Sequence, residues 1–93
     1  MLKKNEIEEL QKAIQVGNVD SVLADSENML HDGVEDDRLY YLRGKAFMKK
    51  SNWQEAVNCF LKAEAINPQS PARQARMMLN DIWEFYHKDL YNP

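Results

Sequence analysis

Proline and glycine are scarce in this chain, three of each in 93 residues. With apolar residues at 44% and charged residues at 29%, that scarcity excludes fibrous and disordered compositions and leaves a folded globular domain. Cysteine occurs once, at Cys59, so no intramolecular disulfide can form, which agrees with a reducing compartment. A lone cysteine in a helical pattern reads as a small hydrophobe. No apolar run approaches membrane-spanning length, and the opening "MLKKNEIEELQK" carries charge where a secretory signal needs its apolar stretch. The expected location is cytoplasmic. No stretch alternates apolar and polar residues for long enough to form a strand. Missing too are a Gly-rich phosphate loop, a paired-cysteine metal motif and a nucleophile with a base in pattern, so neither catalysis nor a cofactor is expected.

What is present is charge, unevenly placed. The net charge of −3 divides into −7 over residues 1–37, with three basic and ten acidic residues, and +4 over residues 38–93, with nine basic and five. A basic C-terminal part can steer an acidic partner, or favour head-to-tail self-contact, or be a solvated surface.

Helix signals recur at even intervals. Asn5 with Glu8 reads as a capping box for a first helix carrying Ile7, Leu10, Ala13 and Ile14 as far as Gly17. Asn18 or Asp20 caps a second helix with Val22, Leu23, Ser26, Met29 and Leu30, ended by "HDGVEDD". A third runs from about Asp37 to Lys50, its acidic start and basic end matching the helix dipole. Asn52, with Glu55 three residues on, caps a fourth whose stripe is Trp53, Ala56, Val57, Phe60 and Ala63, stopped by Asn67 and Pro68. Ser70 and Pro71 open a fifth, striped by Ala72, Ala75, Met78, Leu79, Ile82, Phe85 and Tyr86. The connections are short, so consecutive helices are expected to lie antiparallel as hairpins.

The hairpins repeat. The turn at Gly17 and Asn18 is matched thirty-four residues later by Ser51 and Asn52, and Val19 is matched by Trp53. Thirty-four residues is the period of the tetratricopeptide repeat. Residues 37–70, "DRLYYLRGKAFMKKSNWQEAVNCFLKAEAINPQS", resemble one complete repeat of that family: Tyr40, Gly44, Phe47, Ala56, Phe60, Ala63 and Pro68 occupy the signature positions suitably. The pattern has a physical reason of its own. Two helices approach closely only where a side chain is absent or a single methyl, so Gly44 and Ala56 are expected at the crossing inside the hairpin and Ala63 against the next helix. Tyr40, Phe47 and Phe60 then fill the flanking volume, and Pro68 ends the helix.

There are departures. Arg43 stands where the family usually places Leu. Residues 3–36 keep the period but carry Val22, Ser26 and Met29 where the second helix usually has Ala, an aromatic and Ala, and Val34 in place of Pro. That segment is a degenerate repeat, and the helix from Pro71 reads as a terminal cap over residues 71–90, because the last hairpin of a solenoid needs its open side covered. The expected architecture is therefore all-α: five helices in a single domain spanning residues 1–93, packed as a short right-handed solenoid of antiparallel hairpins.

The resemblance implies a non-catalytic interaction module whose first helices line a concave groove for a peptide or partner protein. Carried onto this chain, the groove candidates are Arg38, Tyr41, Leu42, Lys45, Met48 and Lys49, with Arg76 from the fifth helix. Cations, a tyrosine and apolar contacts would suit an extended peptide bearing an acidic group. The clamp by which one subset of the family grips chaperone C-terminal carboxylates is not reproduced: Ile7, Gln11, Leu42 and Ala72 replace its polar residues, and only Arg76 fits. The alternative is a self-associating structural protein with a homodimer interface at the C-terminal aromatic helix, for which Trp83, Tyr86, Leu90 and Tyr91 are the candidates.

Metal binding is not expected. Glu84 and His87 form E-x-x-H on a helix, but such sites need a second pair, and His31 has no glutamate three residues before it. Nucleic acid is disfavoured by the net acidity and by the lack of a basic stripe interleaved with aromatics.

Overall fold

The computed structural model describes the backbone of residues 2–91 and the side chains of residues 2–81. Five α-helices follow one another, α1 (Lys4–Gln15), α2 (Val19–His31), α3 (Asp37–Lys49), α4 (Trp53–Ile66) and α5 (Ala72–Tyr91), with no strand among the described residues. None of the described helices is long and apolar enough to cross a membrane.

The start of α1 corrects the sequence expectation. Glu6, and not Glu8, makes the return bond of the cap: its Oε1 accepts from the backbone N–H of Lys3 at 3.2 Å, so the helix begins before Asn5. The earlier start lets Leu2, 5% exposed, join the core. Asn18 and Asn52 do precede α2 and α4, although neither side chain makes a capping hydrogen bond. α3 is capped by Asp36, whose Oδ1 accepts from the Arg38 N–H at 2.9 Å. At α5 the buried Ser70 accepts from the Ala72 N–H through its Oγ at 3.2 Å, as the Ser-Pro pair implied.

The repeat is visible in the backbone. Gly17 at φ +85° closes α1, with its N–H donating to the Ile14 carbonyl and that of Asn18 to Ala13. Ser51, thirty-four residues on, sits at φ +60° and closes α3 in the same way, with Ser51 donating to Met48 and Asn52 to Phe47. The second helices end differently. Gly33 at φ +88° reverses the chain after α2, whereas Pro68, after the extended Asn67, does so after α4.

α3 packs most extensively on α4, α4 then meets α5, and α2 meets α3, so the chain forms a short solenoid of helical hairpins. Two apolar clusters fill it. Ile7, Leu10, Ile14, Val22, Leu39, Leu42 and Ala46 form one between α1, α2 and α3. Ala56, Phe60, Ala63, Ala72 and Leu79 form the other between α4 and α5, and Tyr41 of α3 touches both. Ala56 and Ala63 are fully buried, as the close approaches require, and the partner that Gly44 admits is the Phe60 ring. Met78, read as part of the α5 stripe, is instead 62% exposed: the buried line of α5 runs through Ala72 and Leu79, and Met78 falls to its outer side.

Between residues 3–36 and 37–70 there is a compensating exchange. Gly44 and Phe60 correspond, at the repeat offset, to Leu10 and Ser26, and all four are buried. Bulk lies on the second helix, α4, in residues 37–70 and on the first helix, α1, in residues 3–36. The total volume is thereby kept while its placement is reversed.

Candidate functional site

The exposed side of α3 carries the groove candidates. Helical spacing puts Arg38, Tyr41, Lys45, Met48 and Lys49 along one face. Arg38, Lys45 and Lys49 are exposed, and Tyr41 and Met48 are half-buried. Leu42 does not belong with them. At 4% exposure it is packed into the cluster between α1, α2 and α3, because its position on the helix points inward next to Leu39 and Ala46.

The cations on this face differ in what they already hold. Arg38 grips Asp36 with both arms of its guanidinium, Nε to Oδ1 at 3.0 Å and Nη2 to Oδ2 at 2.8 Å, and Nη2 also reaches the Leu2 carbonyl at 3.4 Å. That hydrogen bond lowers the Asp36 carboxyl below its ordinary range against the opposing effect of burial. Arg76 is held in the same fashion by Glu64, at 2.6 and 3.0 Å, and it lowers the Glu64 carboxyl chiefly through that hydrogen bond. The Arg76–Glu64 pair ties α5 to α4, so Arg76 is committed to packing, as Arg38 is to the cap of α3.

Lys45 and Lys49 are held by no carboxylate among the described residues. The Lys45 ammonium lies 5.4 Å from the centroid of the Tyr41 ring, and that ring is in turn tilted at 43° against Phe60 with centroids 6.0 Å apart. Tyr41 is therefore fixed from below by the core and topped by a cation. Lys49 stands in the last turn of α3, where the helix dipole favours positive charge. The arrangement offers two free ammonium groups beside a tyrosine face and a thioether, a surface suited to a carboxylate and a short apolar contact.

The candidates for self-association, Trp83, Tyr86, Leu90 and Tyr91, lie on α5 with side chains outside the described residues, as do Glu84 and His87. His31 is exposed at the end of α2.

Sequence reasoning passed over the role of Arg43. Its Nη1 donates to the Leu23 carbonyl at 2.8 Å and to the Ser26 Oγ at 2.7 Å, while its guanidinium lies 5.2 Å from the Phe47 ring centroid. The signal was present as a coincidence of two departures. A serine stands where the second helix usually has an aromatic, and an arginine long enough to reach it stands where the family has leucine. Arg43 opens on a cleft of about 420 Å³ walled by Leu30, Tyr40, Cys59, Leu61 and Lys62. Cys59 is buried there, and burial raises its thiol above the ordinary value against the lowering effect of Arg43 and Lys62.

Comparison with known proteins bears on this arrangement. The family model for the tetratricopeptide repeat matches residues 37–70. The chain is similar to a Bacteroides fragilis protein solved by solution NMR, with 40% sequence identity, a TM-score of 0.81, and coverage of 94% of this chain and 89% of that one. No curated protein matches the chain.

Proposed function

Because this chain belongs to the tetratricopeptide repeat family, we propose that it is a non-catalytic protein interaction module that binds an acidic peptide segment of a partner on the exposed face of α3. Residues 3–36 serve as a degenerate first repeat, 37–70 as the full repeat and 71–90 as a C-terminal cap of one domain.

One observation carries the reading. Of the three cations on that face, Arg38 is spent on Asp36, whereas Lys45, seated by Tyr41, and Lys49 pair with no carboxylate among the described residues. The contact set is thereby narrowed to Tyr41, Lys45, Met48 and Lys49. An incoming carboxylate would meet two ammonium groups in a setting where charge sets the rate and specificity of association more than its strength.

The test is affinity capture with the wild-type chain and with a Lys45→Glu, Lys49→Glu variant, with the recovered partner then titrated against both. The variant is expected to lose the partner at least tenfold while keeping its helical content, since both residues are exposed. Equal binding by the two proteins would remove the α3 face as the site.

A further inference from the structure

The arginines of α3 and α5 divide by what they hold. Arg38 and Arg76 each grip a carboxylate with two N–H groups. Arg43, although half-buried, meets no carboxylate among the described residues: its Nη1 donates to the Leu23 carbonyl and the Ser26 hydroxyl, and its guanidinium also lies beside the Cys59 thiol. Arg43 lines the cleft, with its guanidinium 5.2 Å from the Phe47 ring centroid.

Lys62 lines the same cleft. Its ammonium lies 5.7 Å from the centroid of the Tyr40 ring and pairs with no carboxylate among the described residues. Two cations that pair with no carboxylate among the described residues thus face one concavity. The apolar walls come from Leu30 and from Leu61, which is 47% exposed, and among the described residues the only acid on the lining is the exposed Glu55. A guanidinium taken partly out of water without a counter-charge is costly, and an incoming carboxylate relieves that cost while the leucines shed water.

We propose that this cleft between α2, α3 and α4 is a second docking site, separate from the exposed α3 face, which takes an aspartate or glutamate side chain flanked by apolar residues in an extended segment of a protein partner. The carboxylate would meet the Arg43 guanidinium and the Lys62 ammonium, and the flanking apolar side chains would cover Leu30 and Leu61. The volume of about 420 Å³ accommodates a few side chains and is too small for a folded helix face to enter.

The probe is a fluorescein-labelled, end-blocked octapeptide of alternating leucine and aspartate, titrated by anisotropy, with the leucine and asparagine peptide as control. Wild type is expected to bind the aspartate peptide at least tenfold more tightly than the control, with an affinity that falls as salt rises. Lys62→Glu is expected to lose at least tenfold, and the Lys45→Glu, Lys49→Glu variant to bind as wild type does. Lys62 is exposed, so its reversal leaves the core intact, whereas an Arg43 variant also removes bonds to α2. The proposal would be overturned by no preference of wild type for the aspartate peptide, by undiminished binding in Lys62→Glu, or by loss of binding in the Lys45, Lys49 variant, which would move the peptide to the α3 face. A self-association removed by Lys62→Glu with no peptide binding would give the cleft to a second copy and overturn it as well. The α3-face reading stands or falls separately, on its own variant and partner.

Discussion

Gly44 and Phe60 share one volume. A Cβ built on Gly44 would fall 2.5 Å from Cε1 and 2.8 Å from Cδ1 of the Phe60 ring, closer than such atoms approach in folded proteins. The ring is fully buried against Ala56, Ala63 and Tyr41, so it has no open side toward which to retreat. The absent side chain is thus what lets α3 and α4 lie together.

Gly44→Ala is expected to destabilise the fold by about 1–3 kcal/mol through overpacking, beyond the small gain alanine brings as a helix former. Thermal denaturation of the variant checks it. A melting temperature equal to or above that of wild type would mean that α3 and α4 part at little cost.

Ser51 gives a prediction of opposite sign. Its φ of +60° closes α3 with a residue that carries a Cβ, and the equivalent turn at Gly17 avoids that cost. Ser51→Gly is expected to stabilise the chain, by at most about 1 kcal/mol, because relief of the left-handed strain is partly offset by the greater freedom of glycine in the unfolded chain. Denaturant midpoints at unchanged slope would measure it.

Arg43 and Ser26 are expected to be energetically coupled. Arg43→Leu restores the residue usual for the family but leaves the Leu23 carbonyl and the Ser26 hydroxyl with less, at an expected cost of about 1–2 kcal/mol. In a double-mutant cycle with Ser26→Ala, the coupling is expected at about 1 kcal/mol, since the bond between them at 2.7 Å has a charged donor. Additivity of the two changes would show that the bond contributes nothing.

Acid is expected to weaken the fold through Asp36 and Glu64. Both carboxyls are lowered in the folded chain by hydrogen bonds from Arg38 and Arg76. The unfolded chain therefore takes up protons first, and the stability these pairs contribute is full above the ordinary carboxylate range and lost as the pH falls below about 4.5. Asp36→Asn and Glu64→Gln should each flatten the fall in melting temperature over that range. An unchanged pH profile would remove the pair concerned as its source. Arg76 and Glu64 are the better of the two pairs to study singly, because Asp36 is also the cap of α3 and its loss affects helix initiation at every pH.

The one-dimensional pattern was enough for the number, order and approximate ends of the helices. Apolar residues at helical spacing, Ser-Pro and Asn-Pro punctuation, and the thirty-four-residue offset are local properties of the chain, and the structure follows them. The small residues at Ala56 and Ala63 were legible for the same reason, since a close helix approach permits few alternatives at those positions. The first cap was misplaced because Asn5 with Glu8 fits the capping pattern in sequence and Lys3 with Glu6 does not; the burial of Leu2 in the core accompanies the earlier start.

The groove was legible as a set of positions and not as a state of charge. Spacing put Arg38, Lys45 and Lys49 on one side of α3, but which of them is free depends on Asp36 folding back over the helix start. Likewise Arg76 is withdrawn from the surface by Glu64, twelve residues earlier in the chain and on another helix. Leu42 was placed in the groove by family position and in the core by packing.

The sequence by itself determined the repeat, because periodic burial needs only the order of side chains along each helix. Tertiary structure decided the placement of bulk and charge: Leu10 and Ser26 in one repeat stand for Gly44 and Phe60 reversed in the other, and Arg43 crosses from α3 to α2 to meet the serine. Such exchanges depend on which residues of different helices face one another across a few ångströms, a relation that no single helix encodes.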